Sequence, residues 1–173
     1  MRLTSYQNST LKIQSILESH ISSPAGSDHI GLLHLYIHTM EMSPIPSLAV
    51  DASNNLLSLV RDLPHLIHMP SHIYIQNGDY AGAIHSNQLA VLADEKYLRK
   101  SGNLPYNSIY RCHDFHFLGW AAMFAGNSKV ALEAAKGIER CFPREFLNVP
   151  PCMFSLPLPK SSLLIIRSSQ LTS

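Results

Sequence analysis

Asn77-Gly78-Asp79-Tyr80-Ala81-Gly82-Ala83-Ile84 and Ala125-Gly126-Asn127-Ser128-Lys129-Val130-Ala131-Leu132 share one form. Each is a tight turn at glycine, a polar cap, then alanine followed by an aliphatic residue. Ser43-Pro44 through Ala49-Val50 is a third copy. Ala49 and Ala83 lie 34 residues apart, whereas Ala83 and Ala131 lie 48 apart. The longer step is one 34-residue unit plus a 14-residue insertion near 98–111. A recurring period with a turn at each boundary implies paired helices that stack on their neighbours.

Working outward from these turns, apolar and small residues recur at helical spacing, and no stretch alternates in the manner of a half-buried strand. Breakers at Ser22-Ser23-Pro24, Ser43-Pro44, Leu63-Pro64, Asn77-Gly78-Asp79, Gly102 to Pro105, Gly126-Asn127 and Pro143 divide the chain. The pattern predicts helices over 10–21, 29–42, 46–61, 65–77, 79–100, 106–125 and 128–141, an all-α chain. Residues 1–27 read as a partial N-terminal repeat helix, 28–143 as the repeat body, and 144–173 as a low-order Pro/Ser-rich tail. Both ends look incomplete, as in a fragment of a longer solenoid. The uncovered face of the lone first helix invites self-association.

With 173 residues, 46% of them hydrophobic, the chain has material for a core. Thirteen Lys and Arg against twelve Asp and Glu leave no electrostatic footprint for nucleic acid or an anionic membrane. No apolar run approaches the ~20 residues that span a bilayer. Cys112, Cys141 and Cys152 are odd in number and lack paired spacing, which argues against disulfides and for a reducing compartment, the cytoplasm.

The 34-residue period and its small residues resemble the tetratricopeptide (TPR) family. With Ala49, Ala83 and Ala131 as the small residue of the second helix, Ser71 and Gly119 fall on that of the first helix. Tyr74 falls on its aromatic, Ala90 on the later small residue and Pro143 on the terminal proline. Ile37 and Asn87 depart from the pattern, standing where the family has a small residue and an aromatic. The strings His29-x-Gly31-x-x-His34-x-x-Ile37-His38-x-x-Glu41, His68-Met69-Pro70-Ser71-His72-Ile73-Tyr74 and Tyr110-x-x-His113-x-x-His116-Phe117 are similar to those of a His-rich group of TPR-domain proteins. The resemblance implies a TPR-like helical-hairpin solenoid of about three repeats plus the partial one. It implies no reaction.

Ten histidines stand in this chain, and most fall in register. The 34- and 48-residue offsets carry His34 to His68 and on to His116, His38 to His72 and then Trp120, and His65 to His113. Spacings of three and four put these side chains and Glu41 on one helix face, which in TPR folds lines the concave groove. Pro70, between His68 and His72, is expected to kink or start a helix and to re-aim His68.

Two functions fit such a groove. One is a protein- or peptide-binding module or scaffold with no enzymatic activity, in which His65, Tyr74 and Trp120 contact the ligand and Phe117 adds an anchor. Phe115, Trp120, Met123 and Tyr74 also read as mainly core. The alternative is binding of zinc or another transition metal by a subset of His34, His38, Glu41, His68, His72, His113 and His116. Metal-dependent hydrolysis would then use Glu41, or Asp114, as general base. The two functions differ in convergence: a metal needs three imidazoles aimed at one point, a peptide groove needs them spread along an apolar channel. Asp94, Tyr97 and Asn87 read as polar ties between helices.

Overall fold

A computed structural model describes residues 2–102 and 105–141. These form helices α1 (Arg2–Ile21), α2 (Ile30–Met40), α3 (Val50–Leu59), α4 (Pro64–His68), α5 (Pro70–Gln76), α6 (Tyr80–Ser101), α7 (Pro105–Phe124) and α8 (Ser128–Cys141). A 3-10 turn, Pro46–Ala49, leads into α3. No strand occurs among the described residues, so the all-α expectation stands. The expected tail, 144–173, lies outside them.

The repeated turns fold as their residues dictate. Gly78 and Gly126 take positive φ of 77° and 67°, a region that side chains with a Cβ avoid. Directly after them, Asp79 Oδ1 accepts from Gly82 N at 2.8 Å and Asn127 Oδ1 from Val130 N at 3.2 Å, capping α6 and α8. The extra residues near 98–111 do not break the stack. They lengthen α6 to 22 residues and α7 to 20, with Gly102 at positive φ ending α6.

Pro70 interrupts less than its chemistry suggests. Met69 keeps helical torsions (φ −50°, ψ −42°), Met69 N bonds His65 O at 3.1 Å, and His72 N bonds Met69 O at 3.2 Å. The chain therefore winds from α4 into α5 with His68 and His72 still about one turn apart.

Each helix packs on a chain neighbour: α1 on α2, α2 on α3, α6 on α7 and α7 on α8, while α4 and α5 share α6. Across these pairs α2 meets α5 and α4 meets α7, which sets the histidine-bearing helices side by side. The main core gathers Leu33, Ile37, Met40, Ala49, Leu56, Ile67, Met69, Ile73 and Ala90. A second cluster, with Phe115, Leu118 and Ala134, seals α7 against α8. There the Phe115 ring lies where a Cβ on Gly137 would stand, 2.3 Å away, so only glycine admits it.

Two expectations are corrected here. Cys112 and Cys141 form a disulfide, with Cα atoms 5.6 Å apart. Counting and spacing missed it because the α7–α8 hairpin, not sequence proximity, brings the two positions together. The inference of a reducing compartment loses its cysteine support. Trp120 and Met123, read as core, are 38% and 53% exposed, while Phe115 and Tyr74 are buried as expected.

Candidate metal centre

Six histidines from four helices converge into two triads. His34 and His38 from α2 join His65 from α4, and His68 at the end of α4 joins His72 from α5 and His113 from α7. In each triad one nitrogen per ring lies within 4.8 Å of the other two. The triads abut, with His38 and His72 ring centroids 6.1 Å apart and His65 and His68 6.3 Å apart.

The pairing is diagonal rather than level. His38 meets its repeat equivalent His72, but His34 packs on His65 at 5.1 Å and His68 on His113 at 4.7 Å. Each partner lies three residues before the equivalent position, one turn lower on the next helix. His116, expected beside His68, falls outside both triads and stacks with Trp120 at 6.4 Å. His65, assigned to ligand contact, is instead a triad member. Tyr74, also assigned to ligand contact, is buried and donates to Asn54 Oδ1 at 2.7 Å, a tie between α5 and α3.

Behind the rings stands a second layer of polar groups. Asn87 Nδ2 donates to Ala83 O at 2.8 Å, which turns its Oδ1 toward His68 Nδ1 at 2.7 Å. An amide oxygen only accepts, so His68 Nδ1 carries the proton. Asp114 Oδ1 lies 3.3 Å from the same nitrogen. Glu41 Oε1 accepts from His38 Nδ1 at 2.8 Å, and Glu41 Oε2 pairs with His72 Nδ1. Both Glu41 oxygens are thus engaged by imidazoles, and the carboxylate holds the His38 and His72 rings in place. Carboxylate and amide groups of this kind fix the tautomer and direction of metal-binding histidines.

One contact follows from these assignments. With protons on both Nδ1 atoms, the Nε2 atoms of His68 and His72 face each other 2.9 Å apart. Two lone pairs at that distance repel unless a proton or a cation lies between them. Phe117 packs against all three rings of this triad, with centroid distances of 4.8, 4.5 and 4.8 Å to His68, His72 and His113, and shields one side from water.

Electrostatics agree with neutral imidazoles. Burial, then the neighbouring His72 and His113, holds His68 well below its ordinary pKa. Burial and His72 bring His113 down to about 4, and burial and His34 do the same for His65. Burial also lowers His34, seconded by His38, and lowers His116 on its own. Burial pushes Glu41 up, but the hydrogen bonds from His38 and His72 outweigh it and hold the carboxyl at about 2. The opposite holds for the second carboxyl weighed as a base. Burial, with Asp94 beside it, drives Asp114 well above the usual range, and burial raises Asp94 to about 6.

Asn87, read from the sequence as a polar tie between helices, does join α6 to His68 at the end of α4. Phe117, read as a ligand anchor, lies against the rings of His68, His72 and His113, a placement that its spacing did not foretell. Set against protein-family models, curated proteins and solved structures, the chain gives no match.

Proposed function

We propose that this chain is a transition-metal-binding protein, with the ion held by His68, His72 and His113 on a helical stack of tetratricopeptide type. The observation that carries the reading is the 2.9 Å approach of His68 Nε2 to His72 Nε2, with both Nδ1 atoms committed to Asn87 and Glu41. A tetrahedral ion with nitrogen ligands at about 2.0–2.1 Å holds such atoms about 3.3 Å apart. The rings need only small rotations to reach that spacing. Three imidazole ligands suit zinc, copper, nickel or iron and not calcium or magnesium.

Convergence is what favours metal over a peptide groove. A peptide site spreads its contacts along a channel, whereas these rings crowd at the crossing of α4, α5 and α7. The stack itself is supported by the 34-residue step and by the side-by-side packing of α2, α4–α5 and α7. Binding is the reading, because the observations converge on a set of imidazoles held by Glu41 and Asn87 and, among the described residues, on no substrate pocket beside them.

Elemental analysis of the tag-free chain, purified without chelators, tests it. Bound zinc, iron, copper or nickel at near one ion per chain or more is expected, with a loss of about one equivalent in His72→Gln and in His113→Gln. A chain that carries no such metal, and takes up none when Zn2+ is added in calorimetry, would leave a proton shared between His68 and His72 as the resolution of that contact.

A further inference from the structure

We propose that the chain holds a second transition-metal ion, at His34, His38 and His65, and that Glu41 couples the two sites. The proposal rests on the metal-binding reading of the neighbouring triad, but its test separates the two. Three observations carry it.

The first is convergence from separate elements. One nitrogen each from His34, His38 and His65 lie within 4.8 Å of one another, although α2 and α4 are separated by the whole of α3. His34 and His38, one turn apart on α2, have ring centroids 4.7 Å apart and form the paired half of a chelate that His65 closes.

The second is the state of the ring nitrogens. His34 Nε2 and His65 Nδ1 are both shut off from solvent, and neither has a hydrogen-bond partner among the described residues. Buried polar atoms without partners are rare and costly in folded proteins. His38 Nδ1 donates to Glu41 Oε1, which leaves Nε2 as the metal-binding atom of that ring. A single cation would satisfy all three nitrogens.

The third is Glu41. Its two oxygens serve one ligand of each triad, His38 on α2 and His72 on α5. A metal on either histidine draws electron density from the ring and strengthens that ring's N–H···O bond to the carboxylate. The shared carboxylate therefore changes its interaction with the other histidine as well. The two sites also differ in access: the His38 side chain is 42% exposed, whereas that of His68 is wholly buried. The outer ion exchanges faster and is the first taken by a chelator.

Titration of the metal-free chain with Co2+, followed by visible absorption, and with Zn2+, followed by calorimetry, tests the proposal. Two equivalents are expected. His34→Gln and His65→Gln should each remove one, leaving the equivalent that His113→Gln removes. Glu41→Gln, which retains one acceptor and replaces the other by a donor, should weaken both sites 10- to 100-fold. Circular dichroism of each variant confirms the helical fold, and the Gln replacements keep side-chain bulk. One equivalent, untouched by His65→Gln and lost in His113→Gln, would overturn the second site and leave the first. One equivalent lost in His65→Gln alone would support the outer site and overturn the inner. No uptake would overturn both. Weakening of a single site in Glu41→Gln would overturn the coupling.

Discussion

The two histidine triads are built from the same residue type, at positions related by steps of 34 and 48 residues, yet they are finished differently. The inner triad is backed by Asn87, Asp114 and Glu41 and covered by Phe117. The outer one has a single carboxylate behind His38, an edge contact from Tyr110 at 5.4 Å to His65, and two ring nitrogens with no partner among the described residues. The difference lies in depth. At the crossing of α4, α5 and α7, three helices and α6 behind them supply groups to orient each ring. At the edge where α2 meets α4, fewer neighbours exist. Affinity in a site of imidazoles depends as much on what holds each ring as on the rings themselves.

Acid should erase the comparison altogether, and this is the largest effect expected. Five imidazoles, His34, His65, His68, His113 and His116, have folded pKa values below their ordinary one. The unfolded chain therefore binds more protons than the folded one below about pH 6.5, and stability present above that pH falls as pH drops toward 4. Asp94 and Asp114 act with opposite sign, since their raised pKa values favour the folded state at low pH. Two carboxyls oppose five imidazoles, so a net loss of Tm is expected between pH 6.5 and 4.5 in the metal-free chain. Flat Tm over that window would show that the rings are not buried as described.

A smaller effect separates the triads mechanically. The inner triad's third histidine, His113, stands on α7, which the disulfide joins to α8, whereas α2 and α4 have no covalent tie among the described residues. Replacing Cys112 and Cys141 together by Ser opens a loop of about 30 residues, worth about 3–4 kcal/mol in the chain-entropy picture. Chemical denaturation should show a loss of that order or less. Zn2+ titration should show the inner site weakened and the outer one unchanged, and equal weakening of both would contradict the separate placement of His113.

Asn87→Ala tests orientation directly. It leaves every ligand in place and frees His68 to adopt either tautomer, so affinity at the inner site should fall 10- to 100-fold, or about 1.4–2.7 kcal/mol. The outer site, which Asn87 does not touch, should titrate as before. His116→Gln gives the smallest effect: both sites should keep their affinity within about twofold, because the ring stacks with Trp120 and belongs to neither triad. Loss of an equivalent in that variant would restore the level ladder of His34, His68 and His116.

That ladder shows where the sequence was legible. Most helix boundaries followed from breakers and periodicity, because Gly78, Gly126 and the caps Asp79 and Asn127 act locally, but α1 begins at Arg2 and not near residue 10, where no breaker marks its start. The candidate residues were legible too, since repeat offsets put His34, His38, His65, His68, His72 and His113 on facing helices. Their grouping was not. Which ring meets which depends on how far one helix slides along the next, a property of packed side chains such as Ile37, Leu56 and Ile73 and not of any one segment. The disulfide was hidden for the same reason. Pro70 was read as a kink or a helix start, and α5 does begin there, while Met69 keeps helical torsions and the rings of His68 and His72 stay 4.8 Å apart.

The Asn87 amide has a consequence for design. It takes its anchor from Ala83, one turn back on its own helix, and so needs nothing from the rest of the molecule to aim its oxygen. A single helical turn is thus a self-contained device for setting the tautomer of a histidine on an adjacent helix. Such a unit can be moved, four residues at a time, onto any helix pair that packs at similar spacing.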